Sequence, residues 1–134
     1  MLPDLFGLLI RFQLSPIGIV ADVEKAFLNV GLQVPDRDAT RFLWLKNPKN
    51  PNINGNLQSY RFCRIPFGII SSPFLLEATI MYHLKQAGTP IAECLQRDIY
   101  VDNLITGVGN LQEAKHVYAE SKSLFSSASM NLRE

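Results

Sequence analysis

Two periodicities organise this chain, one helical and one of strand type. Leu2, Leu5, Phe6, Leu8, Leu9 and Phe12 recur at helical spacing behind Pro3, a residue suited to a first turn, so a short amphipathic packing helix is predicted over 3–12. Ile17-Gly18-Ile19-Val20-Ala21 is a continuous apolar run of the kind a buried strand carries, and it delivers Asp22 at its C-terminal end. A polar helical turn over Asp36–Thr40 precedes a strand over Arg41–Lys46. The Asn-, Pro- and Gly-rich stretch 47–56 is a loop, and Leu57–Ile65 returns as the partner strand.

Further along, Ser72 is placed to cap a helix with Pro73 at its first position, and Gly88 with Pro90 ends it, which gives a helix over 73–87. Phe74, Leu75, Ala78, Met81 and Tyr82 are its expected buried stripe. Ile99–Val101 and Leu104–Thr106 form the arms of a hairpin whose turn is Asp102-Asn103, two residues that tolerate positive φ. Asn110 followed by Glu113 is a capping-box variant, and Ala114, Val117, Tyr118, Ser121, Leu124, Phe125 and Ala128 repeat at three and four, so a second long helix runs to about Ser127. Strand, helix, hairpin, helix and strand in that order predict an α+β fold, an antiparallel sheet with helices packed on one face. At 134 residues the chain is one domain's worth, and no internal repeat or low-complexity segment divides it.

Lys and Arg number 13 against 12 acidic residues, so no bulk basic character announces a nucleic-acid partner. Cys63 and Cys94 lie far apart with no Cys-x-x-Cys or Cys/His cluster, which indicates neither a zinc site nor a disulfide framework; both are expected to be reduced core thiols. His83 and His116 stand alone on helical segments and read as structural or solvent-facing. The apolar stretch within 1–10 carries Asp4 where a signal peptide needs positive charge, and it is too short to span a bilayer. The expectation is an intracellular protein, in a cytoplasmic particle or the nucleus, with no membrane partner.

The chemistry-bearing positions come in a fixed order. Asp22-Val23-Glu24-Lys25-Ala26-Phe27 is followed by Pro66-Phe67-Gly68 with Ser72-Pro73, and then by Tyr100-Val101-Asp102-Asn103. This succession resembles the A, B and C motifs of retroelement reverse transcriptases, and the Pao/BEL group of LTR retrotransposons in particular. Arg41-Phe42-Leu43-Trp44-Leu45, Tyr60-Arg61-Phe62-Cys63, the run from Phe67 to Leu76, and Met130-Asn131-Leu132-Arg133 are similar to that group as well. The resemblance covers nearly the whole chain, from just before motif A to motif D.

The resemblance implies a polymerase palm with a ferredoxin-like core, partial because most of the fingers, the thumb and the nuclease fall outside it, and hence one piece of a larger retroelement polyprotein. It implies two-metal nucleotidyl transfer with two magnesium ions, or manganese in their place, an RNA or DNA template with its primer, and deoxynucleoside triphosphates. Asp22 and Asp102 would be the ligands, with the Val23 carbonyl beside them; hard cations take hard oxygen ligands, and magnesium takes only one or two carboxylates plus substrate phosphates. Asn103 stands where the family most often carries a second Asp, so this catalytic position keeps a neutral oxygen and loses a charge. Phe27, five residues beyond Asp22, occupies the place of the aromatic gate that excludes a 2′-hydroxyl. Lys25 and Ala26 would meet the triphosphate through their N–H groups. Phe67 and Gly68 would border the nucleotide, where a residue without Cβ permits close approach. Tyr100 would support the primer end, Arg61 and Arg64 would reach a phosphate backbone, and Arg133 lies close to the family's motif D basic residue.

Each of these positions has a plainer reading too: a hairpin turn for Asp102-Asn103, a core ring for Phe27, an alternating strand residue for Tyr100, surface cations for Arg61 and Arg64. Two rival functions stand beside the polymerase. One is a truncated retroelement remnant that folds and catalyses nothing, binding at most nucleic acid or protein; the other is a nucleotidyl cyclase, which also sets two metal-binding aspartates on such a sheet. The Phe-Gly loop, the Ser-Pro helix start and the aromatic after Asp22 disfavour the cyclase.

Overall fold

The computed structural model describes residues 4–52 and 54–133. Helix α1 spans Leu5–Gln13, and Asp4 caps it by accepting the Phe6 N–H at 3.1 Å. The part of the expected helix at Leu2 and Pro3 lies outside the described residues. Strand β1 (Ile17–Val23) leads into a single helical turn, α2 (Ala26–Asn29), and then a 3₁₀ segment over Val34–Thr40. Strands β2 (Arg41–Leu45) and β3 (Leu57–Arg61) form a separate two-stranded ribbon, in which Phe42 faces Tyr60. The partner strand is shorter than the sequence suggests, because the chain leaves β3 at Phe62 and makes only an isolated bridge from Arg64 to Gly31.

The second half supplies α3 (Ser72–Ala87), α4 (Pro90–Asp98), β4 (Ile99–Tyr100), β5 (Asn103–Val108), α5 (Leu111–Ser127) and β6 (Leu132–Arg133). Four strands make one antiparallel sheet in the order β4-β5-β1-β6. The fold is therefore α+β, as the order of periodicities predicts. Alternation assigns the faces. Ala21 and Val23 of β1, Leu104 of β5 and Leu132 of β6 are buried under α3, α4 and α5, in a core with Leu76, Ile80, Leu84, Leu95, Ile99 and Phe125. Gly18, Val20 and Asp22 pair with Gly107, Ile105 and Asn103 on the opposite face. There α1 crosses the far end of the sheet, and its Phe12 ring lies where a Cβ on Gly18 would come within 2.5 Å of it, so glycine is what permits the crossing. The Asp22 end of that face is left uncovered by α1.

Three local expectations are corrected. The buried stripe of α3 is Ser72, Leu76, Ile80 and Leu84; Phe74, Leu75, Ala78 and Tyr82 are exposed and Met81 is half-buried. The cause is a helix the periodicity did not announce. Pro90 does end one helix, but it also opens α4 at its first turn, with Thr89 Oγ1 accepting the Ala92 N–H at 3.3 Å, and α4 then packs against α3 and sets its orientation. Ser72 sits inside the first turn of α3 and does not cap it; its hydroxyl donates to the Pro66 carbonyl at 2.6 Å. Cys63 is exposed and Cys94 half-buried, so neither is a core thiol, although both are free.

Candidate active site

Asp22 lies in the centre of the sheet's end, opposite Asn103 on one side and Arg133 on the other. Asp102 sits in the β4–β5 turn, and its carbonyl accepts the Val23 N–H at 2.8 Å, which ties that turn to the end of β1. One strand end and one turn thus bring both carboxylates to a single open cleft of about 330 Å³. Val23, Lys25, Ala26, Phe27, Leu28 and Phe67 complete its lining. Of these, Leu28, in the single turn of α2, is the one that the sequence does not announce.

The turn itself differs from expectation in an informative way. Tyr100 pairs with Asn103, so the two central residues are Val101 and Asp102, and the positive φ of 58° falls on Val101. A two-residue hairpin with positive φ at its first central position usually carries Gly there, because a branched Cβ clashes in that region. A valine held in it is strained, at a cost on the order of 1–3 kcal/mol, and such strain gathers at sites where geometry matters more than stability. Lys25 is also left-handed, at φ 51°, two residues beyond the end of β1. Two bent non-glycine residues flank the carboxylates.

Charges around the pair are arranged as bridges. Arg133 Nη2 donates to Asp22 Oδ2 at 3.0 Å, while its Nη1 lies 3.8 Å from Glu24 Oε1. Asn131 Nδ2 donates to Glu24 Oε2 at 2.9 Å, and that bond, with the Arg133 charge, holds the Glu24 carboxyl below the usual carboxylate range. The hydrogen bond to Asp22 in turn raises the Arg133 guanidinium above its ordinary value. Asn103 Nδ2 donates to Asp102 Oδ1 at 2.8 Å, so Asn103 touches the second carboxylate through its amide nitrogen. Arg133 is the contact that sequence reasoning undervalued; only the β1–β6 register shows that position 133 faces position 22.

The apolar side of the cleft is aromatic. Phe27 and Phe67 meet edge to face, with centroids 5.5 Å apart and planes at 76°. Gly68 follows at φ 89°, a conformation that L side chains rarely adopt, and among the described residues, its chain neighbours aside, nothing lies within 4 Å of a Cβ placed on it. Its glycine is thus required by the bend, with open space beside it. Lys25 and Ala26 also line the cleft.

The remaining candidates lie elsewhere. Tyr100 is half-buried at the base of the turn and is not among the cleft residues. Arg61 belongs to the β2–β3 ribbon, where it forms an ion pair with Asp38, which also binds Arg41 at 3.0 Å. Arg64 Nη1 donates to the Asn29 carbonyl at 3.4 Å, next to α2 and outside the cleft lining. His83 bonds the Leu124 carbonyl at 2.8 Å in a helix-to-helix contact, and His116 is exposed.

A buried polar knot stands at the other end of the hairpin. Asp98, the last residue of α4, accepts from Thr106 Oγ1 at 2.6 Å and from Arg97 Nε at 2.9 Å, with Cys94 Sγ at 3.5 Å. Burial pushes the Asp98 carboxyl up, but the hydrogen bonds from Arg97 and Thr106 and the Arg97 charge outweigh it and hold the group below its ordinary value. Cys94 is pushed up, by burial first and then by the Asp98 charge. This knot anchors the start of β4, and so the hairpin that carries Asp102.

Among the described residues no group of three or more His, Cys, Asp or Glu side chains is gathered as a metal cage. The donor set still suits magnesium, which keeps several waters and takes one or two carboxylates together with substrate phosphates. Two carboxylates at an open cleft fit that requirement, and a closed cage would not. Among the described residues no helix is long and apolar enough to cross a membrane. No family model matches the chain, and no curated protein matches it.

Proposed function

We propose that this chain is the palm of an RNA-directed DNA polymerase of the Pao/BEL retrotransposon type, acting within a larger polyprotein. The observation that carries the reading is the convergence of Asp22 and Asp102 on one cleft that Phe27 and Phe67 also line. The sheet order β4-β5-β1-β6, with helices between β1 and β4 and between β5 and β6, supports a ferredoxin-like core.

In this reading Asp22 and Asp102 would hold the magnesium ions, with the Val23 carbonyl as a further oxygen donor. Bound there, magnesium would supply charge neutralisation and a more acidic primer 3′-hydroxyl. The chain's own residues do the rest. The strained Val101 turn sets the Asp102 carboxylate, the Phe27 ring closes the space a 2′-hydroxyl needs, and Phe67 braces that ring. Lys25 and Ala26 line the cleft and would meet the triphosphate through their N–H groups, and the Gly68 bend would leave room beside the base. Template, primer, deoxynucleotides and the fingers and thumb of the larger polyprotein would be the partners. The rival reading, a folded remnant without catalysis, draws on Asn103, which removes one charge from the pair.

The test is a divalent-ion titration of the chain together with primer extension by the intact polyprotein. Asp22→Asn and Asp102→Asn should each weaken ion binding at least about tenfold and abolish extension, since each removes a full charge near the ion. Ion binding indifferent to both substitutions would overturn the polymerase reading. Normal ion binding without any extension by the intact polyprotein would favour the remnant.

A further inference from the structure

Asp22, near the end of β1, and Glu24, in the turn just beyond it, both face a single guanidinium. Arg133 is directly opposite Asp22 in the sheet; its Nη2 bonds Asp22 Oδ2 at 3.0 Å and its Nη1 is 3.8 Å from Glu24 Oε1. Glu24 is itself fixed, by its N–H donating to the Asn131 carbonyl at 2.8 Å and by the Asn131 amide on Oε2 at 2.9 Å. Oε1 therefore faces the arginine from an anchored side chain.

We infer that Arg133 is a displaceable internal cation on Asp22, with Glu24 as the seat to which it moves when a divalent ion takes the aspartate. The inference rests on the proposed ion site at Asp22. A carboxylate oxygen engaged by a guanidinium is not free to ligate an ion, so the two cations compete for it. The pair is half-exposed, and exposed ion pairs are weak enough to exchange readily. Glu24 keeps the displaced guanidinium from being left beside the incoming positive charge. Arginine suits the task, because its two Nη groups reach both carboxylates at once.

Manganese is the probe, as a paramagnetic substitute for magnesium, in titrations of the whole chain. Arg133→Gln should tighten binding about fivefold, the scale set by an exposed pair. Glu24→Gln should weaken it about threefold in the natural chain, and clearly less in the Arg133→Gln background, where no guanidinium needs a seat. In parallel, the Arg133 Nε resonance should shift on saturation with diamagnetic magnesium. Equal effects of Glu24→Gln in both backgrounds, or an Arg133 resonance unmoved at saturation, would overturn the inference while leaving the ion site standing. Binding unaffected by Asp22→Asn would instead remove the ion site, and the inference with it.

Discussion

The ring of Phe27 meets the ring of Phe67 edge to face at 5.5 Å, joining two segments forty residues apart in the sequence. One follows the strand of Asp22 and the other precedes α3. Each ring alone reads as a packing residue, while the pair forms one wall of the cleft that holds both aspartates. Edge-to-face pairs are worth about 0.5–1.5 kcal/mol beyond the area they bury. In an intact, active enzyme Phe27→Ala should therefore admit ribonucleotides and also loosen Phe67. Competitive incorporation of ribo- and deoxynucleotides measures the first effect, and unchanged discrimination would reduce Phe27 to packing.

Asn103 donates its amide to Asp102 Oδ1 at 2.8 Å. Asn103→Asp loses that donor and adds a like charge beside it, so the ion-free fold should lose about 1 kcal/mol. With an ion bound the sign reverses, because the cation offsets the repulsion, and magnesium affinity should rise about tenfold. Paired titration and chelator-treated unfolding separate the two; unchanged affinity would put residue 103 outside the ion's field.

Val101 holds its turn at φ 58° against its own side chain. Val101→Gly should raise stability by about 1 kcal/mol by relieving that strain, after glycine's greater chain entropy is offset. In an active polyprotein it should lower the extension rate, since a relaxed turn fixes Asp102 less firmly. Chemical denaturation and extension assays read the two effects. A destabilised Val101→Gly protein would show that the valine packs more than it strains.

Asp98 has a carboxyl held below its ordinary value in the folded chain. Its contribution is present above the ordinary carboxylate value of 3.8 and is lost as pH falls through the lower folded value. Asp98→Asn should flatten that acid limb of the stability curve and cost about 1–3 kcal/mol at neutral pH, because the Thr106 and Arg97 donors lose their charged acceptor. Unfolding midpoints from pH 2 to 7 test it, and identical acid profiles for the two proteins would exclude the knot as a stability element.

The isolated chain should not extend a primer. Positioning supplies much of the catalysis in phosphoryl transfer, and on the proposed reading fingers and thumb elsewhere in the polyprotein would hold duplex and nucleotide in line. Gel-resolved extension with magnesium or manganese is the measurement; any templated product would contradict this.

The sequence by itself determined the α+β order, because helical and strand periodicities are local properties of side-chain spacing. It also placed Asp22 at a strand end and Asp102 in a hairpin, since an apolar run and a polar break mark those positions without reference to the rest of the fold. The boundaries of α5 and its Asn110 cap were legible for the same reason, as the Asn110 Oδ1 bond to the Glu113 N–H at 2.9 Å shows. What only the tertiary structure decided is everything that depends on register or on a neighbour. Which face of α3 is buried depends on α4, whose opening Pro90 looks in the sequence only like a stop. Which residue of the turn bears the positive φ depends on Tyr100 pairing with Asn103, and that register follows from the packing of Ile99 and Leu104 in the core. The meeting of Arg133 with Asp22, 111 residues apart, exists only because β6 lies beside β1, and a contact of that range has no local signature.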